Sequence, residues 1–216
     1  MQNQWPAVLA LLAGAFACGS IPFGLVVGRA FFGSDIRAAG SGNIGAANAL
    51  RAYGKAGGAA VLVLDALKGF VPAAFARAYF DAHLAAAWGL SQDSAASYDL
   101  AGAAALAAVL GHCYSPVLKF KGGKGVATLL GTLFALSWPA ALAFVLIWLA
   151  VVLPSRYSSL GSLSATALSP WLVARFSGQR GAGIGVALAA LVIFWKHREN
   201  IARLRAGREN RIGFSR

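Results

Sequence analysis

The chain has 216 residues, of which 58% are hydrophobic and only 12% charged, about half the charge of an ordinary globular protein. So few charges cannot clothe a soluble fold of this size, which argues against a water-soluble protein and for a single all-α, polytopic membrane domain over 1–216. The net charge of +12 would suit a nucleic-acid binder, but the basic residues sit between apolar blocks, where membrane topology accounts for them and no nucleic-acid partner is expected.

In chain order, the apolar stretches predict helices at 6–30, 57–80, 98–113, 124–138, 140–154, 160–176 and 182–196. The first lacks the basic n-region of a signal peptide, and Ala-Phe-Ala before Cys18 is a poor lipoprotein cleavage site, so it is expected to be a retained spanning helix. Several stretches fall short of the ~20 residues that cross ~30 Å of hydrocarbon. About seven helices are therefore expected, with six as the alternative.

Charge orients the bundle. With the N-terminus outside, the inner segments are 31–55, 114–123, 154–159 and the tail from Lys196. With their boundary residues they carry fifteen of the 19 Lys and Arg, whereas Arg77, Arg175 and Arg180 lie outside and Lys68 lies within the second helix. This split predicts N-out, C-in, with a basic cytoplasmic tail over 197–216. Asp81, Asp93 and Asp99 fall in outer segments. Trp5, Trp88, Trp138 and Trp195 fall near the expected interfaces. Cys18 and Cys113 show neither CxxC nor Cys/His metal spacing, so both read as small buried hydrophobes and no metal is expected.

The first inner loop, Gly33 to Arg51, is rich in Gly, Ala, Ser and Asn. Small residues let backbone N–H groups approach an anion. Ser41, Gly42, Asn43 and Asn48 add donors, and Arg37 and Arg51 add charge with bidentate geometry. A flexible linker is the plainer alternative. The second inner loop contains Lys121-Gly-Gly-Lys-Gly, with Lys124, ahead of an expected helix start, where free N–H groups and the dipole favour anions. It is not a Walker A motif, because the GxxxxGK[ST] spacing is absent. Asp65 and Lys68 are spaced to pair on one helix face, and charge inside a span suggests function. The third inner loop offers Ser158 and Ser162, either to cap a helix or to bind phosphate. In the tail, His197, Asn200 and Arg203 recur at helical spacing. Beyond them the basic tail can lie on anionic headgroups. Neither a Gly-x-Ser-x-Gly elbow nor the His-x4-Asp of many acyltransferases is present.

At these motifs the chain closely resembles the bacterial acyl-phosphate:glycerol-3-phosphate acyltransferases, the PlsY family. The matching stretches are Gly19-Ser-Ile-Pro-Phe-Gly, Gly40-Ser-Gly-Asn-Ile-Gly-Ala-Ala-Asn, Asp65-Ala-Leu-Lys-Gly, Gly111-His with Lys121-Gly-Gly-Lys-Gly-Val-Ala-Thr, and His197-Arg-Glu-Asn-Ile. The outer segment 81–97 and the tail after Gly207 match nothing in the family pattern.

The resemblance implies a seven-helix enzyme of the bacterial inner membrane. It would move a fatty acyl group from acyl phosphate to the first hydroxyl of glycerol 3-phosphate, releasing lysophosphatidic acid and phosphate, with no cofactor. Its partners would be those two substrates and the lipid bilayer. Oligomeric state and acyl length are left open. On this reading His112, Asn43 and Lys124 are the catalytic candidates, with His112 ahead of His197 and a substrate phosphate as proton acceptor. Ser41, Gly42, Asn48, Arg51, Lys68, Lys121, Ser158, His197 and Asn200 would bind substrate. The rival class, a transporter of organic phosphates, needs polar groups along a through-path, and the fourth to seventh helices offer almost none.

Overall fold

The computed structural model describes residues 4–92 and 94–212; Asp93, expected on the outer side, lies outside them. Among the described residues there is no strand. Helix α1 spans Trp5–Gly19 and α2 spans Phe23–Phe32. The single helix expected over 6–30 is thus broken at Ser20–Pro22. Pro22 has no N–H to continue the ladder, and the Ile21 carbonyl is released for another donor, Lys68 Nζ at 2.7 Å.

Helix α3, Ala46–Tyr79, starts eleven residues earlier than expected and kinks at Gly54, whose φ of 70° lies in the left-handed region. Pro72 within it cannot donate to the carbonyl of Lys68, which accepts instead from Cys18 Sγ at 3.8 Å. A π-turn at Phe80–Leu84 and the short α4, Ala85–Ala87, complete this arm. Next come α5 Ala95–Cys113, α6 Val126–Leu136, α7 Trp138–Ser155, α8 Ser158–Ser177 and α9 Arg180–Lys196. A last helix not separated in the sequence, α10, spans Arg198–Arg205.

Among the described residues four stretches, Trp5–Phe32, Ala46–Ala87, Ala95–Leu118 and Trp138–Ser155, are long and apolar enough to cross a bilayer. Helix α6, with 11 residues, is only about 16 Å long. The bundle is inverted relative to a soluble protein. Large apolar side chains such as Trp138, Trp171, Leu191 and Trp195 are each more than 60% exposed, while Asp65, Lys68, His112 and Thr128 are buried. Small residues let the helices approach closely. A side chain at Gly131 of α6 would strike the Ala66 carbonyl of α3, and one at Gly185 of α9 the Gly102 carbonyl of α5. The resulting core, including Val109, Leu129, Phe144, Val186 and Ile193, ties α5, α6, α7 and α9 together. The start of α3, the end of α5, the starts of α6 and α8 and the whole of α10 meet at one end. Trp5 and Trp88 meet at the other, with ring centroids 6.1 Å apart and planes tilted by 45°.

Candidate active site

A cavity of about 560 Å³ opens at the end where these termini meet. Gly45, Gly125, Tyr157 and His197 stand at the N-caps of α3, α6, α8 and α10, and none makes a side-chain cap hydrogen bond. The first turns of all four helices face the cavity, through Ala46, Val126, Ser158 and Asn200. Four helix N-termini, with their positive dipole ends, therefore border one space, an arrangement that favours anions. Arg51, Lys55, Lys124 and Arg203 add side-chain charge to the same walls. Deeper in, the lining turns apolar, with Leu62, Leu130, Phe144, Val145 and Leu149. At the junction, Trp148 Nε1 donates to Ser162 Oγ at 3.3 Å.

Of the residues expected to act, Ser41, Asn43, Asn48, Arg51, His112, Lys124, Ser158, His197 and Asn200 all border this cavity. Their parts differ from expectation in several cases. Asn48 is buried, and its amide holds the loop. Nδ2 donates toward the carbonyls of Ile36, Ala39 and Asn43 (3.1, 3.0 and 2.9 Å), and Oδ1 accepts from the Ser41 N–H at 2.9 Å. No donor of Asn48 remains for a phosphate. Asn43 Oδ1 accepts from the Gly45 N–H at 2.9 Å, and its Nδ2 makes no hydrogen bond among the described residues. Ser158 is the first residue of α8, after the cap residue Tyr157.

Three candidates are not brought to the cavity wall. Gly42 has φ 68° and donates its N–H to Ala39 O at 3.0 Å, so it serves the turn. Lys121 lies exposed on the far side of its loop. Lys68 is buried against the α1–α2 break, its Nζ 2.8 Å from Asp65 Oδ1 and 2.7 Å from Ile21 O. The i,i+3 pairing is as expected, but the Ile21 carbonyl draws the ammonium away from the substrate space.

The Lys121–Gly125 loop packs tightly onto the end of α5. A side chain at Gly122 would meet the His112 carbonyl oxygen, and one at Gly123 the His112 Nε2. The Gly123 N–H donates to His112 O at 3.0 Å. This leaves the half-buried Lys124 facing inward, its Nζ donating to Asn200 Oδ1. Burial, followed by the charge of Arg203, lowers the Lys124 ammonium to about 8. His197 donates from Nδ1 to Ile193 O at 2.8 Å, a tautomer assigned from this partner. Burial holds its pKa at about 4. A neutral His197 whose Nδ1 proton is engaged turns only a lone pair outward, so among substrate groups it suits a hydroxyl better than a phosphate.

The tail beyond Gly207 supplies what was not anticipated. Glu209 folds back into the cavity rather than lying with a basic tail on headgroups. Its Oε1 accepts from Asn200 Nδ2 at 2.6 Å and from Ser159 Oγ at 2.8 Å, and its Oε2 accepts from Arg203 Nε at 2.8 Å. Burial alone would raise its pKa, but these three donors bring it below the usual value. Arg156 O accepts from the Ile212 N–H at 2.8 Å and closes the segment onto α7. Among the described residues, no group of three or more His, Cys, Asp or Glu could hold a metal.

Comparison with known proteins agrees with this geometry. The profile of the glycerol-3-phosphate acyltransferase family matches residues 9–207. A glycerol-3-phosphate acyltransferase of Rhodopseudomonas palustris (strain HaA2) is 44% identical over 206 residues, 95% of each chain. One of Ruegeria pomeroyi is 46% identical over 211 residues, 96% of this chain and 95% of that one. The crystal structure of PlsY (YgiH), an integral membrane glycerol 3-phosphate acyltransferase, superposes in its glycerol 3-phosphate form with a TM-score of 0.83. It is 40% identical and covers 96% of both chains. The lysophosphatidic acid form of that protein superposes with a TM-score of 0.81. This chain belongs to the glycerol-3-phosphate acyltransferase family of integral membrane proteins.

Proposed function

We propose that the protein acylates the sn-1 hydroxyl of glycerol 3-phosphate with a fatty acyl group from acyl phosphate, giving lysophosphatidic acid and inorganic phosphate, the first step of phospholipid synthesis. The observation that carries this reading is the two-part cavity. One end is ringed by four helix N-termini and by Arg51, Lys124 and Arg203, and the other is walled by apolar side chains. A phosphate-headed amphiphile fits such a space, with its chain along Leu62, Leu130 and Phe144.

The polar end holds two phosphates side by side. Its cations and N–H groups offset their repulsion and stabilise the charge that passes to the leaving phosphate. Acyl phosphate is a mixed anhydride, so direct attack suffices without a covalent acyl-enzyme. The hydroxyl oxygen bonds to the acyl carbon, the C–O bond to phosphate breaks, and the hydroxyl proton passes to His112 Nε2. A neutral imidazole in this role contributes about 10²–10⁴ in rate. Asn43 and Lys124 act on the reacting groups. Ser41, Arg51, Ser158 and Asn200 bind phosphate, and His197 accepts from a glycerol hydroxyl. The site faces the cytoplasm of a bacterial inner membrane, in a chain that crosses it seven times with its N-terminus outside. The charge split along the sequence and the gathering of the basic loops at the cavity support this orientation.

The deciding experiment follows phosphate release by purified protein given acyl phosphate, with and without glycerol 3-phosphate. Release that depends on the acceptor is expected. Comparable turnover with acyl-CoA would overturn the choice of donor, and uptake of labelled glycerol phosphate into liposomes without donor would favour a transporter. His112→Gln, which keeps a hydrogen bond but accepts no proton, tests the base: near-native kcat removes His112 from that step.

A further inference from the structure

Beneath the cavity floor lies a cluster of charged side chains that the reaction as proposed leaves without a part. Asp65 of α3 is 1% exposed, yet its carboxylate lines the cavity beside His112 of α5. Lys68 Nζ stands 2.8 Å from Asp65 Oδ1 as an ion pair, and His112 Nδ1 stands 3.7 Å from the same oxygen. Neither carboxylate oxygen meets hydrogen-bond geometry with any group described, and His112 Nδ1 is likewise unmatched. Buried polar groups in this state are rare and call for an explanation.

The surroundings leave Asp65 one task. Lys68 is held on its other side by Ile21 O at 2.7 Å, a carbonyl freed by the break before Pro22, so the ammonium is anchored as a counter-ion. The other cation beside the cluster, Lys196, donates to Cys113 O at 3.1 Å and lies over the Tyr114 ring. That leaves His112 Nδ1 as the group to which Asp65 can still offer a lone pair. On its other edge, His112 Nε2 abuts Gly123, where any added side chain would strike it.

We infer that Asp65 is a positioning residue for His112. Its carboxylate keeps the ring proton on Nδ1, so that the Nε2 lone pair is the one turned to the Lys121–Gly125 loop and the cavity. The distance of 3.7 Å exceeds a formed hydrogen bond, and apo geometry of this kind tightens as the partner gains charge. Protonation of Nε2 would make the ring a cation beside a fixed carboxylate, and the pair then attracts strongly in a dry setting. An absent Asp65 would leave that cation unmatched. The consequence for catalysis rests on His112 as proton acceptor, as proposed above, whereas the tautomer does not.

The test uses full-length protein with ¹⁵N-labelled histidine, reconstituted in nanodiscs. The chain has 3 His, so His83→Gln and His197→Gln assign the His112 signals. The ring nitrogens of His112 are expected to report Nδ1–H in the native protein. Asp65→Asn, whose amide can turn a donor toward Nδ1, is expected to shift the population toward Nε2–H and to lower kcat at least tenfold. KM for glycerol 3-phosphate is expected to stay within about twofold. Because Asp65→Asn leaves Lys68 charged in the interior and can misfold, Asp65→Asn/Lys68→Met removes both charges together. The same tautomer shift is expected in it, and Asp65→Glu should recover part of the native signal and rate. A His112 tautomer unchanged in Asp65→Asn and in the double variant overturns the inference whatever the rate does. A switched tautomer with native kcat leaves Asp65 as the positioning residue and removes His112 from the proton step.

Discussion

The segment from Ser34 to Asn48 and the segment from Lys196 to Ile212 face each other across the cavity. The first is held from within: every partner of the Asn48 side chain lies within 12 residues of it. The second is held largely from elsewhere. Lys124 reaches Asn200 across 76 residues, Ser159 reaches Glu209 across 50, and Arg156 Nε donates to Ile212 O across 56. One wall is thus a turn that can form before the bundle closes. The other exists only when α6, α7, α8 and α10 are already in place. Both contribute polar side chains to the same substrate space, so the contrast lies in how each wall is built rather than in what it does.

Charge removal should strike both walls alike. Arg51→Ala on the local side and Lys124→Ala on the remote side are each expected to lower kcat/KM about ten- to a hundredfold, since a charge-assisted hydrogen bond contributes roughly 1.5–3 kcal/mol. The helical circular dichroism should be unchanged, because Arg51 is exposed and Lys124 only half-buried. Native kinetics in both variants would leave the anion site without support.

Asn48→Ala probes the local wall alone. It orphans three carbonyls and the Ser41 N–H, at about 1–3 kcal/mol for a buried group left unpaired, and should lower both the unfolding midpoint and the rate. Asn48→Asp keeps the acceptor for Ser41 but loses both Nδ2 hydrogens, so it should not rescue. An unchanged midpoint in both would break the claim that this loop is built from within.

Glu209→Gln is the gentler counterpart on the remote wall. Glutamine still accepts from Ser159 and Asn200 but loses both the charge and the Oε2 acceptor opposite the part-exposed Arg203. The expected change is at most about fivefold in KM for glycerol 3-phosphate, and a larger loss would mean that Glu209 touches substrate.

The smallest effect at neutral pH is the titration of Lys124. Its charged form holds phosphate and is present below about 8, the value to which burial has lowered it. kcat/KM should therefore fall as pH rises through about 8. Lys124→Arg, charged throughout this range, should move that alkaline limb upward even if its absolute rate is lower.

The same contrast marks what could be read from the sequence. The loop residues Ser41, Asn43 and Arg51 were legible because their signal is local: small residues and side-chain donors packed into one short stretch. The helical spacing of His197 and Asn200, and of Asp65 and Lys68, was legible for the same reason. Glu209 was not, since a lone acid in a basic tail reads as solvated until Arg203, Asn200 and Ser159 are seen around it. The part of Asn48 was inverted because its type announces a donor and not where the donor points. The break at Ser20–Pro22 had its signal in Pro22, but the apolar run on both sides outweighed it. Which face of α3 carries Lys68 followed from spacing; that the Ile21 carbonyl would capture it required the fold.

Glu209 also sets a clock. The partners of its carboxylate, Ser159, Asn200 and Arg203, lie on α8 and α10, so Glu209 can dock only after those helices have left the ribosome and packed. Until that residue emerges, Arg203, Asn200 and Ser159 face the cavity without the carboxylate that gathers them. A chain cut back before residue 209 would thus hold its bundle around an unfinished reaction chamber. Docking of the segment after α10, rather than insertion of the spanning helices, is the event that closes it.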